Sequence, residues 1–110
     1  MYLWELTILF ASYPQVMVFA RSYGKHNEKA KSLLKQISKE TSIAVEFLDL
    51  DLMPGWDGSL LLLELEELTG QFALPNIFIG QKHVGGNAQL EQKHALGELE
   101  HMVREAGQEL

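Results

Sequence analysis

Apolar and polar positions along this chain change period several times, and each change marks an element. Leu3, Leu6, Thr7, Phe10 and Ala11 recur at helical spacing, so residues 2–12 read as a short amphipathic helix that Ser12, Tyr13 and Pro14 end. Residues 15–19 are apolar and β-branched directly after that proline, as a buried strand is. Ala30, Leu33, Leu34 and Ile37 then return to helical spacing among lysines. Residues 43–50 form a second strand run with Ile43, Val45 and Phe47 on one side. A loop rich in turn formers follows, from Asp51 through Pro54, Gly55 and Trp56 to Ser59, a plausible helix cap. Residues 59–69 carry leucine and glutamate in helical proportion, with Gly70 placed to end the helix. Ile77, Phe78 and Ile79 read as a strand, Gly80 and Gln81 as a hairpin turn, and Lys82 to Val84 as the returning strand. Asn87 would cap a helix over 88–96, Gly97 breaks it, and 98–105 forms the last. The order is α-β-α-β-α-β-β-α-α, with no linker or internal repeat, so residues 1–110 read as one domain.

Composition narrows the function classes. The chain has 110 residues, 46% hydrophobic and 22% charged, enough for a single core and too apolar for disorder. Its net charge of −6 argues against a nucleic-acid module, which needs a basic footprint. With no cysteine at all, disulfides, thiolate catalysis, iron–sulfur ligation and sulfur-based zinc sites are removed together. The first fourteen residues contain Glu5 and lack both a basic leader and a small-residue cleavage site, so neither a signal peptide nor membrane insertion is expected. The compartment stays open, with cytoplasm favoured, and a targeting segment upstream of Met1 is compatible with the chain.

The chemistry concentrates between the first strand and the helix that follows it. Ser22, Tyr23, Gly24, Lys25, His26 and Asn27 make a tight turn, with a glycine for unusual backbone and an asparagine available to cap. A strand feeding a helix N-terminus aims free N–H groups and the positive dipole end at one point, which suits an anion or an activated nucleophile. Arg21, Lys25, Lys29, Lys31, Lys35 and Lys39 make this region locally positive within an acidic protein. No nucleophile stands there.

The order strand, turn, helix, Leu-Pro strand, and hairpin ending in Gly-Gly carries a resemblance. Val16 through Tyr23, Asp57-Gly58-Ser59, Glu67 through Gln71, Leu74-Pro75-Asn76-Ile77-Phe78-Ile79-Gly80, Lys82 through Gly86, and His94 with Gly97-Glu98-Leu99 stand in the order and spacing of the glutaredoxins. The chain resembles that family from about Trp4 to Gly107. The resemblance implies an α/β fold of thioredoxin-like, glutaredoxin type: a three-layer α/β/α sandwich around a four-stranded mixed sheet. It also implies a cis peptide bond before Pro75, turning the backbone of Leu74 toward the cysteinyl part of glutathione.

The departures from the family bear on function. Gly24, Lys25, His26 and Asn27 stand where glutaredoxins place Cys-x-x-Cys or Cys-x-x-Ser after the Ser-Tyr pair. Thiol–disulfide exchange needs an attacking thiolate and a thiolate leaving group, so the family's oxidoreductase activity and its cluster binding should both be absent. Gly24 and Asn27 become vestigial catalytic positions. An engineered, inactivated glutaredoxin would differ at one or two of these positions; all four differ, which favours natural divergence. Of the glutathione-binding set, Arg21, Tyr23, His26, Leu74, Pro75, Gly86 and Asn87 occupy matching places. Arg21 would meet the glycyl carboxylate, and Gly86 with Asn87 would offer N–H groups to the γ-glutamyl carboxylate. Leu62 and Ala88 replace a polar Gln and an Asp, and Phe72 replaces a frequent arginine. Each lost charge-assisted bond is worth roughly 1.5–3 kcal/mol, so two losses weaken the site about a hundredfold or more. The expected function is a binding or scaffold module with at most weak residual glutathione binding and no resident cofactor. The alternatives are a transferase-like enzyme that activates glutathione with the Ser22 or Tyr23 hydroxyl, and an engineered cysteine-free variant of an active glutaredoxin.

Other residues add little chemistry. His26 reads as an exposed replacement for the family's Tyr, His83 and His94 as structural, and Gly97 spoils a shared face for His94 and His101. No metal site is expected. A protein partner would meet Trp56, Phe72 and the four leucines Leu60, Leu61, Leu62 and Leu63. Those leucines wrap more than one face of their helix, so either the helix is buried on two sides or part of it meets that partner.

Overall fold

The computed structural model describes residues 15–108. The helix expected over 2–12 lies outside the described residues. Strand β1 (Val16–Ala20) leads into helix α1 (Lys25–Thr41), then β2 (Val45–Asp49) and a 3-10 turn (Leu50–Leu52). Helix α2 (Asp57–Thr69), the hairpin β3 (Asn76–Ile79) and β4 (Lys82–Gly85), α3 (Asn87–Ala95) and α4 (Leu99–Gln108) complete the chain. The four strands form one sheet in the order β2-β1-β3-β4. β1 runs parallel to β2 and antiparallel to β3, and β3 is antiparallel to β4. This is the glutaredoxin-type thioredoxin fold, a mixed four-stranded sheet with helices around it.

Apolar residues at both parities of the strands explain the three layers. Val16, Val18 and Ala20 of β1, with Ile77 and Ile79 of β3, face one side and pack against Ala30, Leu34 and Ile37 of α1, Leu90 of α3, and Leu99, Val103 and Ala106 of α4. Phe19 and Phe78 face the other side and pack against Leu50, Leu61 and Leu65, with Met17, Leu48, Leu62 and Leu74 around them. Their rings meet edge-on at 5.9 Å and 88°. A sheet apolar on both faces must be covered on both. Among the described residues α2 is the helix that covers the second face, and it approaches closely: a Cβ on Gly58 would lie 2.0 Å from the Leu50 carbonyl oxygen.

Element types follow the sequence pattern, and their starts do not. Asn27 and Asn87 are not caps but lie inside the first turns of α1 and α3, and Ser59 lies inside that of α2. Gly24, Gly86 and Trp56 occupy the capping positions instead. Of the four leucines, Leu61 is buried and Leu62 half-buried, while Leu60 and Leu63 face outward. Gly80 and Gln81 both take positive φ, 60° and 66°, as a two-residue hairpin turn requires. The His83 ring rests 5.2 Å from that of Phe78.

Candidate functional site

Three chain segments converge beyond the C-terminal end of β1: the turn 21–27, the loop 71–75 and the Gly85-Gly86-Asn87 corner. Between them lies an open cleft of about 350 Å³ lined by His26, Gln71, Ala73, Leu74, Pro75, Gly86, Asn87, Ala88 and Gln89. The fold therefore brings His26, Leu74, Pro75, Gly86 and Asn87 of the expected set to one cleft. Arg21, Tyr23, Gly24 and Asn27 stand in the adjoining turn and do not line it. The Leu74–Pro75 peptide bond is cis.

The turn is fixed through its backbone. The Arg21 N–H donates to Asn27 Oδ1 at 3.0 Å, and the Arg21 carbonyl accepts from Lys31 Nζ at 2.9 Å. Lys31 Nζ also meets Asp49 Oδ1 at 2.6 Å, with both side chains largely buried. The Ser22 N–H donates to Asp51 Oδ1 at 2.8 Å, and its hydroxyl donates to Asp51 Oδ2. The Ser22 hydroxyl, more than any other group, holds the Asp51 carboxyl below the ordinary carboxylate range. These contacts follow from the parallel register that pairs Ala20 with Asp49, which sets the end of β2 beside the start of the turn.

Gly24 begins α1 at φ 96° and ψ 136°. L-residues rarely adopt that φ, and a Cβ there would meet Asn27 Nδ2 at 3.3 Å. The Asn27 side chain is buried and bound back to Arg21, so positions 24 and 27 of the turn present backbone and a buried amide, not a thiol. Around the turn, Tyr23, Lys25, His26 and Lys29 are exposed. Among the described residues no acidic side chain pairs with the Arg21 guanidinium.

The opposite wall relies on two residues to which the sequence assigned no role. Gln71 Nε2 donates to the carbonyls of Ala73 at 2.8 Å and Pro75 at 3.0 Å, bracing the loop that carries Leu74. Gln89 Oε1 accepts the Gly86 N–H at 2.9 Å. The Gly86 donor expected to meet a ligand carboxylate is thus already engaged by a side chain of its own helix. The N–H groups of Asn87, Ala88 and Gln89 come before the first helical donor of α3, the Leu90 N–H, which reaches back to the Gly86 carbonyl. Asn87 Nδ2 donates to Glu91 at 3.1 Å. Glutamine side chains reaching nearby backbone leave no periodic trace; only the position of Gln71 just past Thr69-Gly70 could have drawn attention to it.

No family model matches the chain. Among curated proteins it is 37% identical to a glutaredoxin of Ricinus communis over 84% of each chain. The chain belongs to the glutaredoxin family. It is also 38% identical to the chloroplastic monothiol glutaredoxin-S12 of Arabidopsis thaliana, over 83% of this chain and 48% of that one, so it spans about half the length of that relative. The crystal structure of a buckwheat glutaredoxin–glutathione complex superposes with a TM-score of 0.84 at 31% identity, covering 96% of this chain and 89% of that chain. The holo form of poplar glutaredoxin C1 superposes with a TM-score of 0.83 at 30% identity, over 96% and 89% of the two chains. This glutaredoxin-family chain contains no cysteine. Among the described residues no group of three or more His, Cys, Asp or Glu side chains could hold a metal ion, and no helix is long and apolar enough to cross a membrane.

Proposed function

We propose that this glutaredoxin-family domain does not exchange thiols and disulfides and acts as a binding module. The observation that carries the reading is Gly24: the first position after the Ser-Tyr pair has no side chain, and its backbone disfavours one. Exchange requires a thiolate to attack, and the chain supplies none. The surrounding frame is nevertheless complete, with the turn pinned at Arg21 and Ser22 and the loop braced by Gln71. A frame retained without its nucleophile suits binding better than catalysis. The deciding assay is reduction of a glutathione mixed disulfide. The expected rate equals the protein-free background, and a rate well above it overturns the reading.

Glutathione is the small ligand that the cleft fits best, and weakly. In its favour stand the first-turn N–H groups of α3, the guanidinium of Arg21, which has no acidic partner among the described residues, and the backbone of Leu74 on the cleft wall. Against strong binding stand Leu62 and Ala88 in place of polar contacts, and the Gly86 N–H engaged by Gln89. Titration with reduced glutathione, followed by chemical shifts, should move Arg21, Leu74, His26 and Asn87 only at millimolar ligand. Uniform silence at that concentration removes glutathione and leaves the module reading to protein partners. The hydroxyl-activated transferase gains no support, since the Ser22 hydroxyl is committed to Asp51 and neither Ser22 nor Tyr23 lines the cleft.

A further inference from the structure

We propose that the outer face of α2 docks a basic amphipathic helix of a partner protein, a proposal that rests on the binding-module reading and gives the partner its chemistry. Trp56, Leu60 and Leu63 stand 79%, 46% and 58% exposed. Their spacing of four and then three residues places them in one stripe along the helix. The opposite stripe, Gly58, Leu61 and Leu65, is spent on the core. Leu52, 69% exposed, sits on the 3-10 turn against which the first turn of α2 packs. The exposed stripe spans about two turns, roughly 10 Å along the axis, which matches the anchors of a helix laid along it. Phe72 does not belong to this surface. It follows the far end of a 13-residue helix, roughly 20 Å of axis from Trp56.

Charge selects the partner. α2 carries Asp57, Glu64, Glu66 and Glu67 and no Lys or Arg. By helical spacing Glu67 continues the stripe, while Glu64 and Glu66 flank it on either side. None of the four forms an ion pair among the described residues. An apolar stripe ending in unpaired carboxylates repels acidic helices and anionic lipid surfaces, and attracts a helix whose apolar face is bordered by Lys or Arg. A second copy of this chain is a poor occupant. Among the described residues its basic helix is α1, whose apolar residues Ala30, Leu34 and Ile37 are buried in its own core and so do not reach the leucines.

The test uses the full chain and two synthetic helical peptides of about 18 residues, with leucines at positions spaced three and four apart. Lysines fill the polar positions of one peptide and glutamates those of the other. The lysine peptide is expected to shift amide resonances across residues 52–68, with affinity falling as salt rises, and the glutamate peptide to shift none at the same concentration. Leu63→Lys should weaken the lysine peptide at least tenfold, and a Glu66→Lys, Glu67→Lys double variant about three- to tenfold. All these positions are exposed, so the variants should keep the parent's unfolding midpoint. Equal binding of both peptides, shifts confined to the cleft, or no shift overturns the proposal. So do shifts on α2 that grow with protein concentration alone, marking a second copy, and partition of the protein onto anionic vesicles. The mixed-disulfide assay on the same sample reads the underlying module reading separately.

Discussion

Replacing Gly24 by Cys restores the residue type that the family places after the Ser-Tyr pair, and the geometry predicts that the fold resists it. Gly24 sits at φ 96° and ψ 136°, where an L-residue costs about 1–3 kcal/mol. The new Cβ would lie 3.3 Å from Asn27 Nδ2, closer than ordinary contact, so Asn27 must give. Asn27 is buried and holds the Arg21 N–H at 3.0 Å; losing that acceptor adds about 1–3 kcal/mol. With partial relaxation the combined cost is about 2–4 kcal/mol. At a urea slope of about 1–2 kcal/mol per molar, the midpoint should fall by at least about 1 M. Gly24→Ala separates the backbone from the thiol and should lose most of the same stability. A Gly24→Cys, Asn27→Cys double variant should fall further, because it deletes the Arg21 acceptor outright. If both single variants unfold within about 0.5 kcal/mol of the parent, the idea that this turn is built around glycine is refuted.

Three further outcomes follow from contacts near the site. Gly58→Ala should destabilise by about 1–3 kcal/mol or more in urea denaturation, although alanine favours helix by about 1 kcal/mol, because its Cβ would collide with the Leu50 carbonyl at 2.0 Å. Lys31→Met strips Asp49 and the Arg21 carbonyl of their shared donor and should cost about 1.5–3 kcal/mol, with faster amide exchange across residues 20–22. Ser22→Ala should raise the Asp51 titration midpoint, because the hydroxyl that lowers it is gone. The sign follows from the depressed folded pKa: the unfolded chain binds the proton first. The stability lost in Ser22→Ala is therefore present above about pH 4 and disappears as pH falls through the lowered Asp51 midpoint, readable as converging denaturation curves of parent and variant.

Legibility in the sequence divided along a physical line. Strands and helices were legible because β1 and β3 carry apolar residues at both parities and α1 places Ala30, Leu34 and Ile37 at helical spacing. Helix starts differ from those the sequence suggests because asparagine's preference for capping is outweighed. The positive φ of Gly24 lets α1 begin earlier, and the Asn27 amide reaches back to Arg21 instead of forward into the first turn. The leucines at 60–63 left two readings open, since a continuous apolar run has no period; only packing against Leu50 and Phe78 sorts Leu61 from Leu60 and Leu63. Of the site, the turn and the Leu74-Pro75 and Gly85-Gly86 segments were visible as motifs. The Lys31–Asp49 pair was not, because eighteen residues separate its partners and only the β1–β2 register joins them. Gln71 and Gln89 brace the cleft through backbone groups within four residues of themselves, contacts that any exposed glutamine could make or forgo.

The framing of the turn bears on what loss of the nucleophile means for this fold. Its three fixed backbone groups, the N–H and carbonyl of Arg21 and the N–H of Ser22, are held by Asn27, Lys31 and Asp51. None of these contacts passes through the side chain at position 24. The turn therefore holds its shape without a reactive group at position 24, and Asn27 uses one of the two family cysteine positions as a structural acceptor. An unmatched polar side chain at that depth costs about 1–3 kcal/mol, and the Asn27 oxygen is matched by the Arg21 N–H. The residues at positions 24 and 27 match each other: glycine accepts the backbone that starts α1, and asparagine closes the ring to Arg21. Stability and exchange activity can then be read as separate properties of this domain. A variant with a thiol at position 24 must first disturb the contact between Asn27 and Arg21.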